Sequence, residues 1–132
     1  MTGRAASYLA AALFVLLAAC SKEARDLGLG SPGSLYAVTI VGGPVFYGFL
    51  DRTTPDALVL SDVYYVQISS DAKSNQRVNK LVRRSDTDWH GPEKMSIPYD
   101  KVVMVELVGS TSVVAKLIAE ARSKSTPALP AK

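Results

Sequence analysis

Between Leu35 and Val108 the chain is a series of short β-prone runs cut by glycine, proline and polar turns. Tyr36, Val38 and Ile40 alternate with Ala37 and Thr39, and Gly42-Gly43-Pro44 follows as a turn. Val45 to Leu50 is aromatic and branched, the composition that suits a pleated surface, and Thr53-Thr54-Pro55-Asp56 closes it. Residues 57–68, ALVLSDVYYVQI, form a longer run in which Asp62 marks a bend or bulge. A polar stretch at 69–80 leads into a returning strand at 78–84, then an irregular loop from Ser85 to Pro92. Ser96-Ile97 starts another strand, stopped by Pro98, which lacks the ladder N–H, and Lys101 to Val108 is the last. Closing short strands into a barrel is one way to protect the edges of such a sheet. Closure into a small barrel of about five strands, spanning 35–109, satisfies the pattern.

Past Gly109 the period changes. Val113, Val114, Leu117, Ile118 and Ala121 recur at helical spacing, which predicts a helix over 110–122 packed on the barrel. Ser110 or Thr111 supplies its N-cap, and Arg122 and Lys124 suit the carbonyl end of its dipole. Pro127 and Pro130 end it, and residues 123–132 read as a disordered tail.

The other end of the chain has a different character. Arg4 precedes an uncharged apolar run from Tyr8 to Ala19, well short of the roughly 20 residues that span a bilayer. Its length is that of a secretory signal core, with a short uncleaved anchor as the other reading. Leu17-Ala18-Ala19-Cys20 then resembles the lipobox of bacterial lipoproteins. That resemblance implies removal of residues 1–19 as a signal peptide, a diacylglyceryl thioether on the Cys20 sulfur and acylation of the new amine. It also implies, through Ser21, delivery to the outer membrane facing the periplasm in a diderm organism. Several acyl chains on one residue give stable attachment. Residues 20–34, rich in charge, then glycine and proline, read as a flexible tether. The literal G-x-G-x-x-G at Gly28, Gly30 and Gly33 follows no strand and contains Pro32, so it is linker composition rather than a dinucleotide fingerprint.

Within the β region, Gly43, Phe46, Gly48, Leu50, Leu60, Asp62 and Val63 resemble the first motif of Sm-like small β-barrels, and Ile97, Val102 and Val105 the second. The resemblance implies an Sm-like or SH3-type barrel. The positions that carry RNA binding in that family differ: Thr54, Pro55 and Ala57 stand where Asp and Asn are expected, and Pro98-Tyr99 where Arg-Gly is. Nucleic acid is therefore not expected as a partner, and an Sm-like RNA-binding protein ranks third, ahead only of an enzyme. The net charge of +3, from 15 basic and 12 acidic residues, demands none either. The combination of anchor, β region and helix is also similar to a set of small membrane-anchored bacterial proteins with no assigned activity.

One cysteine and one histidine exclude a disulfide framework and Cys- or His-rich metal centres. No nucleophile elbow or H-E-x-x-H occurs, so neither a catalytic residue nor a cofactor is assigned. Two segments are candidate contact sites. Trp89, His90 and Glu93, around Gly91-Pro92, form a loop suited to a ligand or partner, and Asp88 with His90 and Glu93 offers donors to a metal. The plainer reading has Trp89 capping the barrel. Lys73, Arg77, Lys80, Arg83 and Arg84 carry five positive charges with no acid among residues 73–84, a pattern that suits anionic lipid headgroups or an ordinary solvated hairpin. Together these features predict a lipid-anchored cell-envelope protein, non-enzymatic, acting as an interaction or scaffold module. Its partners are the membrane and an unidentified envelope protein, and a homo-oligomer is left open. The alternative is an extracytoplasmic ligand-binding module using the Trp89–Glu93 loop.

Overall fold

The structure, a computed structural model, describes residues 26–70 and 76–125. The signal segment, Cys20, Ser21, Lys73 and residues 126–132 lie outside the described residues. Six strands, β1 (Leu35–Ile40), β2 (Val45–Thr53), β3 (Ala57–Ser70), β4 (Arg77–Arg83), β5 (Lys94–Pro98) and β6 (Val102–Leu107), form one antiparallel sheet in the order β4-β3-β2-β1-β6, with β5 also on β3. A single helical turn, α1 (Arg84–Thr87), follows β4, and α2 (Val113–Ser125) follows β6. The domain is mainly β with one longer C-terminal helix. Its six strands agree with the expectation of about five, and Pro98 with the 3-10 turn Tyr99–Lys101 separates β5 from β6 as the sequence indicated.

The β1–β2 turn is tight: Gly43 N–H donates to the Ile40 carbonyl at 3.3 Å, and Gly42 holds φ +67°, a left-handed value that glycine adopts without penalty. Tyr36 and Val38 then oppose Gly48 and Phe46 and point the same way. Across β2 and β3 the register slips. Tyr47 pairs with Tyr64 and Phe49 with Ser61, so Gly48 faces the two residues Asp62 and Val63. Asp62 takes φ +50° there. This is the bulge expected at Asp62, and it resets the inward parity, so Leu58 and Leu60 before it and Val63 after it share one core cluster. The same residue divides β3 between two neighbours: residues 57–61 pair with β5, and residues 64–70 with β4.

The core is built on β1, β2, β3 and β5, with Val82 of β4 buried outside its main cluster. Tyr36, Val38, Phe46, Leu58, Leu60 and Ile97 are buried together, and Val102 and Val105 of β6 pack against them. Phe46 and Tyr65 meet edge to face there at 6.4 Å.

Three local expectations are corrected. The tether does not run free to residue 34: Leu29 packs on the core, Gly30 N–H donates to the Tyr36 hydroxyl at 2.5 Å, and Gly33 N–H to the Leu50 carbonyl at 2.7 Å. The Gly33 bond and the Leu50 N–H bond to the Ser34 carbonyl carry the β1–β2 pairing past Leu35, so the Leu50 backbone keeps its partners at the start of β1. The loop from Ser85 begins as α1, closed by Asp88 N–H on the Arg84 carbonyl at 2.8 Å. The helix cap is Ser112, whose Oγ accepts from Ala115 N–H at 3.1 Å, because Ser112 itself closes a turn onto the Gly109 carbonyl. The helix starts later than expected and extends through residues 123–125, which the sequence places in the tail.

Candidate functional site

The Trp89–Glu93 loop turns at Gly91, whose φ of +51° and N–H bond to the Asp88 carbonyl at 2.9 Å make it tight. Trp89 does not cap the barrel; it is fully exposed, and His90 and Glu93 are exposed beside it. Asp88 is engaged elsewhere, by Arg84 at 2.6 Å. Among the described residues no His, Cys, Asp and Glu side chains gather into a metal-holding group, so the Asp88, His90 and Glu93 donor set is not assembled. The loop presents a tryptophan and an imidazole to whatever approaches it.

The basic cluster divides in two. Arg77 and Lys80 lie on the arm formed by the far ends of β3 and β4, where residues 66–70 and 77–80 are all exposed. Arg83 and Arg84 turn inward to side-chain partners. Arg83 Nε donates to Asp62 Oδ1 at 2.5 Å and its guanidinium lies 6.0 Å from the Tyr64 ring centre. Arg84 stacks over Phe46 at 5.6 Å as well as pairing with Asp88. Committed in this way, Arg83 and Arg84 have little left for lipid phosphates; Arg77 and Lys80 keep theirs.

Around Asp62 the outer face of the sheet carries a compact polar cluster. Its Oδ2 lies 3.3 Å from Arg122 Nε and accepts from the Tyr64 hydroxyl at 3.4 Å. Burial pushes the Tyr64 phenol above its ordinary value, and the Asp62 charge adds to this. Burial alone would lower Arg83, but the hydrogen bond and charge of Asp62 outweigh it and raise it on balance. The cluster serves attachment: it ties β3 to β4 through Arg83 and to α2 through Arg122.

A feature that sequence reading missed lies beside it. Between α2 and the β1–β2–β6 surface runs an open groove of about 570 Å³, lined by Leu35, Phe49, Leu107, Ala115 and Ile118, with Arg122 at its margin. This volume is in the range of sites for small ligands or partner side chains. It exists because α2 touches the sheet narrowly. Ile118 is its one buried residue among those described, at 1% exposure, while Val113 is 72% exposed and Leu117, at 43%, lines a second groove against Asn79, Lys80 and Leu81 of β4 instead of closing on the sheet. The sequence signal was present in the width of the apolar face, which is more than one contact line needs. No family model matches this sequence, and none of the curated proteins compared with it matches.

Proposed function

We propose that this chain is a lipid-anchored cell-envelope protein whose β domain is a non-enzymatic interaction module, and that its partner surface is the groove beneath α2. The observation that carries the reading is the groove itself: an apolar channel of about 570 Å³, with Leu107 and Val113 exposed near it. Apolar surface left open in this way marks a contact site for another molecule. The lipobox at Leu17-Ala18-Ala19-Cys20 supports the anchor, and Ser21 supports the outer membrane of a diderm envelope. The 3-10 turn between the last two strands, together with Gly48 opposite the Asp62 bulge, supports an Sm-like or SH3-type barrel as the finer description of the sheet. RNA is not among the proposed partners, since Pro55 and Ala57 have no hydrogen-bonding side chain and the Thr54 hydroxyl is engaged with the Ala57 backbone.

The test is a photo-crosslinking amino acid at Val113 of the full chain in cells. A discrete envelope-protein adduct, lost with Leu107→Glu and kept with Val78→Glu on the exposed arm, is the expected result. Adducts insensitive to Leu107→Glu would remove the groove from the account. The complete exposure of Trp89 favours a second reading, ligand binding at the Trp89–Glu93 loop. In that case Trp89→Ala abolishes capture and Leu107→Glu does not.

A further inference from the structure

We infer that the domain rests on the lipid headgroups through one particular face, the apolar surface formed by Leu27 and the start of β6. The inference relies on the Cys20 anchor proposed above. Leu27, Val103 and Met104 are 38%, 64% and 47% exposed. They are not scattered: together with Leu29, Tyr99 and Val102 they line one shallow groove of about 320 Å³. Leu27 brings the N-terminal segment onto β6 at this point, so the chain leaves the domain beside the exposed apolar side chains.

The length of chain between the anchor and this face decides what covers it. Six residues lie between Cys20 and Leu27, which makes seven Cα–Cα steps. Fully extended, they reach at most about 25 Å. The face carrying Leu27 therefore cannot leave the neighbourhood of the bilayer. A tether this short holds the lipid surface at high effective concentration against that face, whereas a second copy must be met by diffusion.

Two further observations fix the depth. β6 is the last strand of the sheet order, so its outer edge has no strand partner among the described residues. Backbone groups of an open edge are satisfied by headgroups and interfacial water but not by hydrocarbon, which keeps the face at the interface and out of the acyl core. Asp100 and Lys101, beside Tyr99 and Val102, form a pair at 3.2 Å and cancel, which leaves Asp26, next to Leu27, as a negative charge at this rim that the apolar contact must outweigh on anionic lipid. Val103 and Met104 then supply the shallow apolar contact.

The experiment uses the full chain, purified from membranes and reconstituted in phosphatidylethanolamine–phosphatidylglycerol vesicles. An environment-sensitive fluorophore is placed through Met104→Cys, or through Val103→Cys as a second site. Asn79→Cys on β4, at the other terminus of the sheet order, is the reference. A lipidated Cys20 carries a thioether and takes no label, so each variant reports one position. The expected result is a blue-shifted emission at 103 and 104, lost for the most part to nitroxide-bearing lipids, with position 79 quenched only from water. Chains that float with the vesicles but are quenched at 103 and 104 only from water overturn the docking face and leave the anchor standing. Chains that do not float, and accept label at Cys20, overturn the anchor and this inference with it. Shielding that grows with protein density and gives copy-to-copy crosslinks at 104 assigns the face to a second copy and likewise overturns the inference.

Discussion

Arg122 Nε on α2 lies 3.3 Å from Asp62 Oδ2 at the β3 bulge, and its guanidinium sits 4.5 Å from the Phe49 ring centre. One arginine thus fastens the helix to the sheet by charge and by stacking at once. The carboxylate it uses also holds Arg83, and it stands at the residue where β3 changes partners from β5 to β4. Attachment of the helix and the bend of the sheet therefore converge on a single side chain, the one with the left-handed backbone.

Arg122 is half exposed, so its pair is worth little on its own. Arg122→Ala should cost about 0.5–1 kcal/mol, chiefly the stacking on Phe49. Asp62→Ala should cost more, about 2–3 kcal/mol, because it strands Arg83 and places alanine at a positive φ. Urea midpoints give both values, and amide exchange locates the effect: Arg122→Ala should speed exchange in α2 and leave β1–β3 unchanged. Equal costs for the two variants would mean that Asp62 is not the shared point of attachment.

Gly48 is required by contact rather than by backbone conformation. A Cβ there would come within 3.0 Å of Leu60 Cβ and 3.2 Å of Val63 Cγ2, neither of them a mobile chain end. Gly48→Val should therefore destabilise the domain by about 1–3 kcal/mol through overpacking beside the bulge. An unchanged urea midpoint would show that the β2–β3 contact is looser than described.

Much of this was readable in advance. Alternation placed β1, aromatic and branched composition placed β2, the apolar run at 101–108 placed β6, the change of period placed α2, and Asp62 in the middle of a long β run announced the bulge. What was not readable depends on contacts remote in sequence. Nothing around Arg83 and Arg84 indicates that the first would meet Asp62 and the second Asp88, Phe46 and Met95, which removes both from a basic patch that looked continuous. Trp89, a residue that usually packs, gave no sign that it would stand in solvent. The groove escaped notice for the same reason, since it is defined by how far α2 stands from Leu35 and Leu107.

Because Ile118 is the buried anchor of α2, its truncation should release the helix. Ile118→Ala is expected to cost about 2–5 kcal/mol, the range for emptying a buried aliphatic site. Circular dichroism should show helix loss at a lower denaturant concentration than sheet loss, a departure from two-state behaviour. A single coincident transition with little shift would indicate that the helix is held elsewhere.

Asp51 offers a check on the surface electrostatics. The hydrogen bond from Lys94 Nζ to its Oδ1 at 2.9 Å holds the carboxyl below its ordinary value of 3.8. A depressed folded value means that the pair's contribution is present above the unfolded value and lost as pH falls through the folded one. Carbon-detected titration should therefore find Asp51 ionised to lower pH than a free aspartate, and Lys94→Met should bring it back up. If Lys94→Met leaves the Asp51 titration unmoved, the β2–β5 pair does not form in solution.

The central claim, that this β domain is held on a membrane by its own lipidated cysteine, is decided most directly by intact mass spectrometry of the full chain extracted from membranes. The account predicts a chain beginning at Cys20 whose mass exceeds the polypeptide by a diacylglyceryl group and an amide-linked acyl chain, and predicts that Cys20→Ser yields neither the cleavage nor the added mass. A chain that keeps residues 1–19, or that begins at Cys20 with a free, alkylatable thiol, would contradict it.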